Sequence, residues 1–267
     1  GNININVRDA MTIAGIKNGF NSSIYTFVGV GAVGNAGDIN INTGSLSLAE
    51  GSQINAKTLG EGNAGNITVN ARQNISLDGS GDVTLRDGSK GTLFTRIISS
   101  VDPEGVGNGG DIQLNTGDLS VTNKAAISSS TAGKGDAGNI TINALDNIIF
   151  NTGSFATSNV ASDAVGNGGD IRVTTGTITL TNGSVFSTNV LGEGNAGNIF
   201  VEARDSLKLE GKVDSRISRI DSSLLTGGVG KGGDIQITTG LLSVTNGAQI
   251  YALTSGQGDA GNITINA

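Results

Sequence analysis

Apolar and polar residues alternate along this chain in short runs, and the runs recur in a fixed order. Ile39 and Ile41 stand between Asn40 and Asn42, Leu46 and Leu48 flank Ser47, and Ile54 and Ala56 alternate with Asn55 and Lys57. A period of two, one side apolar and one polar, is the signal of a strand buried on one face. Helical spacing is nowhere sustained. Gly, Asn, Asp or Thr closes each run, so the first complete repeat predicts strands at 38–42, 45–48 and 53–58. Equivalent third strands are expected around Ile127, Phe186 and Ile250.

The inward positions form rows. First strands supply Ile39/Ile41, Ile67/Val69, Ile112/Leu114, Ile140/Ile142, Ile171/Val173, Ile199/Val201 and Ile235/Ile237, with Ile3/Ile5 and Ile263/Ile265 at the ends. Second strands add Leu46/Leu48, Ile75/Leu77, Leu119/Val121, Ile178/Leu180, Leu207/Leu209 and Leu242/Val244. A fully buried member of such a row contributes about 1.5–3 kcal/mol. No repeat can bury its own row without a neighbour, so stability is a sum over interfaces.

The segment GNAGNITVNA at Gly62 returns as GNAGDININT at Gly34, GNGGDIQLNT at Gly107, GDAGNITINA at Gly135 and in further copies to Gly258. The second glycine of each copy marks Gly1, Gly37, Gly65, Gly110, Gly138, Gly169, Gly197, Gly233 and Gly261, at intervals of 36, 28, 45, 28, 31, 28, 36 and 28 residues. A fixed class alternates strictly with a variable one, so the true period is a pair of repeats. Three strands per repeat, followed by an identical set, describe one coil of an all-β, right-handed parallel β-helix (β-solenoid). Each strand pairs with its counterpart one coil away, and the other two strands supply the long crossover that parallel pairing needs. The expectation is a single array over residues 1–267, with about eight coils, three strands per coil and a final strand at 261–267. At about 4.8 Å per coil such a rod is on the order of 40 Å long. The chain starts in mid-repeat and ends in the same register, which is expected of an excerpt from a longer chain.

At the corners the marker glycine is followed alternately by Asn and Asp: Gly37–Asp38, Gly65–Asn66, Gly110–Asp111, Gly138–Asn139, Gly169–Asp170, Gly197–Asn198 and Gly233–Asp234. These pairs are the candidate structural corners and ladders. Carboxylates stacked about 4.8 Å apart would repel by about 0.9 kcal/mol per neighbouring pair even in water. Interleaved Asn doubles their spacing and adds an amide donor. The outward series Asn6, Asn42, Asn70, Asn115, Asn143, Thr174, Glu202, Thr238 and Asn266 is mostly Asn and predicts a second ladder, of stacked amides. Calcium is not expected, because the Asp residues lie two coils apart.

Individuality is confined to the variable coils. One carries Asp82, Arg86, Asp87 and Arg96, another carries Asp214, Arg216, Arg219 and Asp221, and the first carries Phe20, Tyr25 and Phe27. All follow the second strand, so they are expected on one side of the rod. Loops on a rigid scaffold carry recognition, which makes the eight charged residues the candidate recognition positions.

A net charge of −7 without a basic stripe argues against nucleic acid. With no His and no Cys, disulfides, thiolate zinc sites, serine triads and Cys–His pairs are excluded. No cofactor or metal is expected. No apolar run approaches the roughly 18 residues of a membrane helix. Glycosidase carboxylates need to be about 5–9.5 Å apart. The two charged clusters are four coils, about 19 Å, apart along the axis, and each alone reads as a solvated charged loop.

The segments GNAGDININTGSLSLAEGSQINAKT, GNAGNITVNARQNISLDGSG and GNGGDIRVTTGTITLTNGSVFSTN resemble the repeat region of filamentous-haemagglutinin-type exoproteins, especially the large cyanobacterial ones. The resemblance covers essentially the whole chain and rests on the paired-coil repeats. It implies a β-helical passenger exported by two-partner secretion through an outer-membrane transporter to the cell surface or beyond. It further implies a non-catalytic structural or adhesive rod that meets surface or matrix polysaccharide or protein. Two alternatives stand beside it. One is a β-helical polysaccharide lyase or hydrolase using one charged cluster. The other is a surface-layer or sheath subunit associating end to end, since both termini present unpaired strands in matching register.

Overall fold

The computed structural model describes residues 1–84, 88–213 and 215–267. The described residues form strands and turns without a helix, and parallel pairing dominates. One sheet runs the length of the molecule through Ile3–Asn6, Ile39–Ala49, Ile67–Asp78, Ile112–Thr122, Ile140–Phe150, Ile171–Thr181, Ile199–Glu210, Ile235–Thr239 and Ile263–Asn266. A second sheet runs beside it through Ser23–Val28, Gln53–Thr58, Arg96–Val101, Ala126–Ser128, Phe155–Thr157, Val185–Ser187, Arg219–Asp221 and Gln249–Tyr251. Every pairing within these sheets joins equivalent positions one coil apart, as in Ile39↔Ile67, Ile112↔Ile140 and Phe155↔Val185. The molecule is a parallel β-helix.

The first and second strands expected from the sequence are continuous in most coils and bend without breaking. Their ladder slips by one residue at the bend, as a β-bulge does. Thr116 pairs with Ala144 and Asp118 with Asn147, so Gly117 alone faces Leu145 and Asp146. The same slip recurs around Gly44 and Gly176, both in 28-residue coils. The reason is steric. The extra residue of the longer coil pushes its backbone over the shorter coil, and a Cβ on Gly117 would collide with the Gln73 carbonyl. Glycine bends belong to the 28-residue coils and two-residue bends to their longer neighbours.

Inward rows from both sheets meet in one continuous core. Ile39, Ile41, Ile67, Ile112, Ile140 and Ile142 have no exposed surface. Ile13, Ile148 and Phe150 also belong to the second-strand row, with Ile148 paired to Leu119 and Phe150 to Val121. Phe150 packs edge-on against Phe186 with ring centroids 5.0 Å apart, an arrangement that adds to simple burial.

Among the described residues, three antiparallel hairpins leave the corner between the two sheets. They are Ile16–Lys17 with Phe20–Asn21, Ser80–Thr84 with Lys90–Phe94, and Lys212–Val213 with Arg216–Ile217. Each sits in a long coil, after the second-strand row, so the insertions share one side as the sequence predicts.

Candidate functional site

The corners bind coil to coil through side chains. The buried Ser129 hydroxyl donates to the Gly110 carbonyl at 2.8 Å and accepts from the Gly138 amide at 3.0 Å. Ser99 and Ser222 make the same bridge in their own coils. Gly138 has to lack a side chain, because a Cβ there would meet the Gly110 carbonyl and crowd that hydroxyl.

The residue after each marker glycine also reaches along the axis. Asn139 donates from its backbone amide to Asp111 Oδ1 at 2.7 Å and from Nδ2 to the same oxygen at 3.1 Å. Its own Oδ1 accepts the Asp170 amide at 2.9 Å. Asp and Asn serve equally as acceptors, and only Asn donates back. Asp38, Asn66, Asp111, Asp170, Asn198 and Asp234 lie in this row. A parallel row went unread in the sequence: Asn63, Asn108, Asp136 and Asn167, three positions before it, accept amides from the following coil in the same way. Its signal was the Asn or Asp after the first glycine of every copy but one, where Lys231 follows Gly230. Outside, Asn42, Asn70, Asn115 and Asn143 each donate Nδ2 to the preceding Asn at 2.7–2.9 Å. Among the described residues no cluster of three or more acidic side chains could hold a metal.

The eight charged recognition positions separate. Arg86, Asp87 and Asp214 lie outside the described residues. Asp82 is on a hairpin strand, accepts a 3.3 Å hydrogen bond from Thr92, and shares a shallow hollow with Lys90. Arg96, Arg219 and Asp221 are not loop residues: all three lie on strands of the second sheet, because the third-strand run begins earlier than the charges suggest. Arg96 is half-buried, with its guanidinium 5.3 Å from the Phe94 ring centre, and burial lowers its pKa. Asp221, expected on a solvated loop, has no exposed surface. It accepts a 3.0 Å hydrogen bond from Arg219 Nε and another from Asn189 Nδ2. Burial pushes its carboxyl above the usual range, opposed in part by Arg219 and by hydrogen bonds from Asn189 and Ser187.

Arg216 and Arg219 are brought together. They border a pocket of about 400 Å³ on the outer face of the second sheet. Its floor is Phe155, Asn159, Val185 and Asn189 from two neighbouring coils, and Leu191 and Leu225 close one end. Arg216 reaches over from the hairpin: a side chain at Gly153 would stand 3.8 Å from its guanidinium. Asn159 Oδ1 accepts the Asn189 amide at 2.7 Å, and Asn189 Oδ1 accepts the Ser223 amide at 2.8 Å, so the floor is pinned by the same axial bonding as the corners. These floor residues escaped the sequence reading because they sit among ordinary outward strand positions. A second groove, of about 630 Å³, runs over the Asn42–Asn70–Asn115–Asn143 row beneath Arg72 and the exposed Leu145. Its amides hydrogen-bond one another, and Arg72 donates to the Arg8 carbonyl.

Comparison of the chain with family models, curated proteins and solved structures finds no match.

Proposed function

We propose that this chain is a non-catalytic rod, the repeat shaft of a secreted or cell-surface structural or adhesive protein. The observation that carries the reading is the continuity of the axial rows. Backbone ladders, the aliphatic core, the Asn/Asp rows and the buried serines each tie one coil to the next. Redundant bonding of this kind resists bending and suits a part whose work is to hold length. The resemblance of the repeats to filamentous-haemagglutinin-type exoproteins supports an extracellular location and passage through an outer-membrane transporter.

The disposition of carboxylates favours the rod over a glycan-cleaving enzyme. Asp221 is buried and committed to Arg219 and Asn189. The hollow beside Asp82 contains a lysine and no second carboxylate among its described lining residues. Incubation of the protein with acidic and neutral polysaccharides should release no shorter or unsaturated products. Release that is abolished by Asp82→Asn or Asp214→Asn would replace the rod by an enzyme.

A further inference from the structure

The floor of the arginine-bordered pocket on the second sheet is pinned coil to coil, but the guanidinium groups at its border take no part in that axial bonding, and their chemistry is specific. In a chain of net charge −7, its described lining contains two arginines and no acidic residue. Arg219 is committed through Nε to the buried Asp221, which fixes the guanidinium plane and leaves its terminal nitrogens uncommitted in that bond. Arg216 is exposed, and its guanidinium makes no hydrogen bond or ion pair among the described residues. Guanidinium forks match planar carboxylates in bidentate geometry, which a point charge such as Lys cannot do. Beneath them Phe155 and Val185 give an apolar floor; the Asn189 amide is committed to Asp221 and Ser223, and Asn159 Oδ1 to Ser187 and the Asn189 backbone, which leaves Asn159 Nδ2 as the amide donor of the lining. An apolar floor suits the C–H face of a sugar ring, the Asn159 amide donor suits a hydroxyl, and the arginines suit an acid group.

We propose that this pocket binds a carboxylate-bearing sugar unit of an acidic polysaccharide. The proposal deepens the adhesive reading of the rod and rests on it for the setting in which such a ligand is met. Asp221 acts as a positioning residue here, orienting Arg219 from below.

The test is calorimetric titration of the protein with an oligogalacturonate, with its methyl-esterified form, and with sodium sulfate. The acid form should bind, and added salt should weaken it. The ester should bind at least about tenfold more weakly, as expected for the loss of one charge-assisted hydrogen-bond pair. Arg216→Ala should cause a loss of similar size with an unchanged melting curve, because Arg216 lies on a surface hairpin. Arg216→Lys should fall between the two. Equal binding of acid and ester, no binding of the acid, or binding untouched by Arg216→Ala would each overturn the proposal. Sulfate competing as well as the oligomer at equal concentration would also overturn it, leaving a general anion site. The two readings fail separately: cleavage of the oligomer would remove the rod function and leave the site standing, whereas absence of binding would remove the site and leave the rod.

Discussion

Single residues in this molecule act through what they present to the coil above and the coil below. The alternation of Asp and Asn at the corners illustrates the rule. Every member accepts a backbone amide, and the Asn members keep carboxylates apart. Asn139→Asp would put three carboxylates in succession at Asp111, position 139 and Asp170. At about 0.9 kcal/mol per new neighbouring pair, the variant should lose about 2 kcal/mol at low ionic strength and recover part of it in salt. Urea unfolding at two salt concentrations measures this, and a loss indifferent to salt would count against it. Asp221 provides a pH-dependent counterpart. Its folded-state pKa is raised, chiefly by burial. Its contribution to stability is therefore fully present below the ordinary Asp value of about 3.9 and is lost as pH rises through the raised value. The stability of the wild type relative to Asp221→Asn should accordingly be greatest in acid and shrink toward neutrality. A difference that grows with pH would show that Arg219 outweighs desolvation.

At the scale of strands and coils, burial and the bend decide behaviour. Ile142 is fully buried between Leu114 and Val173 in the first sheet. Ile142→Asp would leave an unpaired charge in the core of a middle coil, and it should abolish the single cooperative melt or split it in two. An unchanged transition would contradict the account. The bend makes a sharper prediction. Removing residues 110–168, one short coil and one long, keeps a glycine bend opposite every two-residue bend. Removing 110–137 alone sets Arg72–Gln73 against Leu145–Asp146. The paired deletion should melt cooperatively with modest loss, and the single one should be markedly less stable; circular dichroism melts of the two, if alike, would refute the pairing.

These features differ in how far they could be read beforehand. Core rows were legible because a period of two shows in any apolar alternation, and the corner ladder was legible because Gly37–Asp38 and its equivalents stay in phase. The bend was missed because its one-residue slip hides within two expected strands, seen only when Gly117 is laid against Leu145 and Asp146. The pocket was half-legible. Arg216 and Arg219 stood out as charges, but Phe155 and Asn189 lie in separate repeats and meet only through coil stacking. Asp221 was misjudged because sequence does not reveal which outward strand positions a neighbouring arginine and an asparagine one coil away will cover.

At the scale of the whole molecule, what remains is a stack with one repeat distance, long-range order along a single axis, and decoration on one corner. Its central claim is that successive coils carry length through strand pairing along the axis. Electron microscopy of the protein, with its power spectrum examined along the particle axis, tests this most directly. The account predicts long thin particles with a repeat near about 4.8 Å along that axis. Short compact particles without it would contradict both the axial stacking and the rod function built on it.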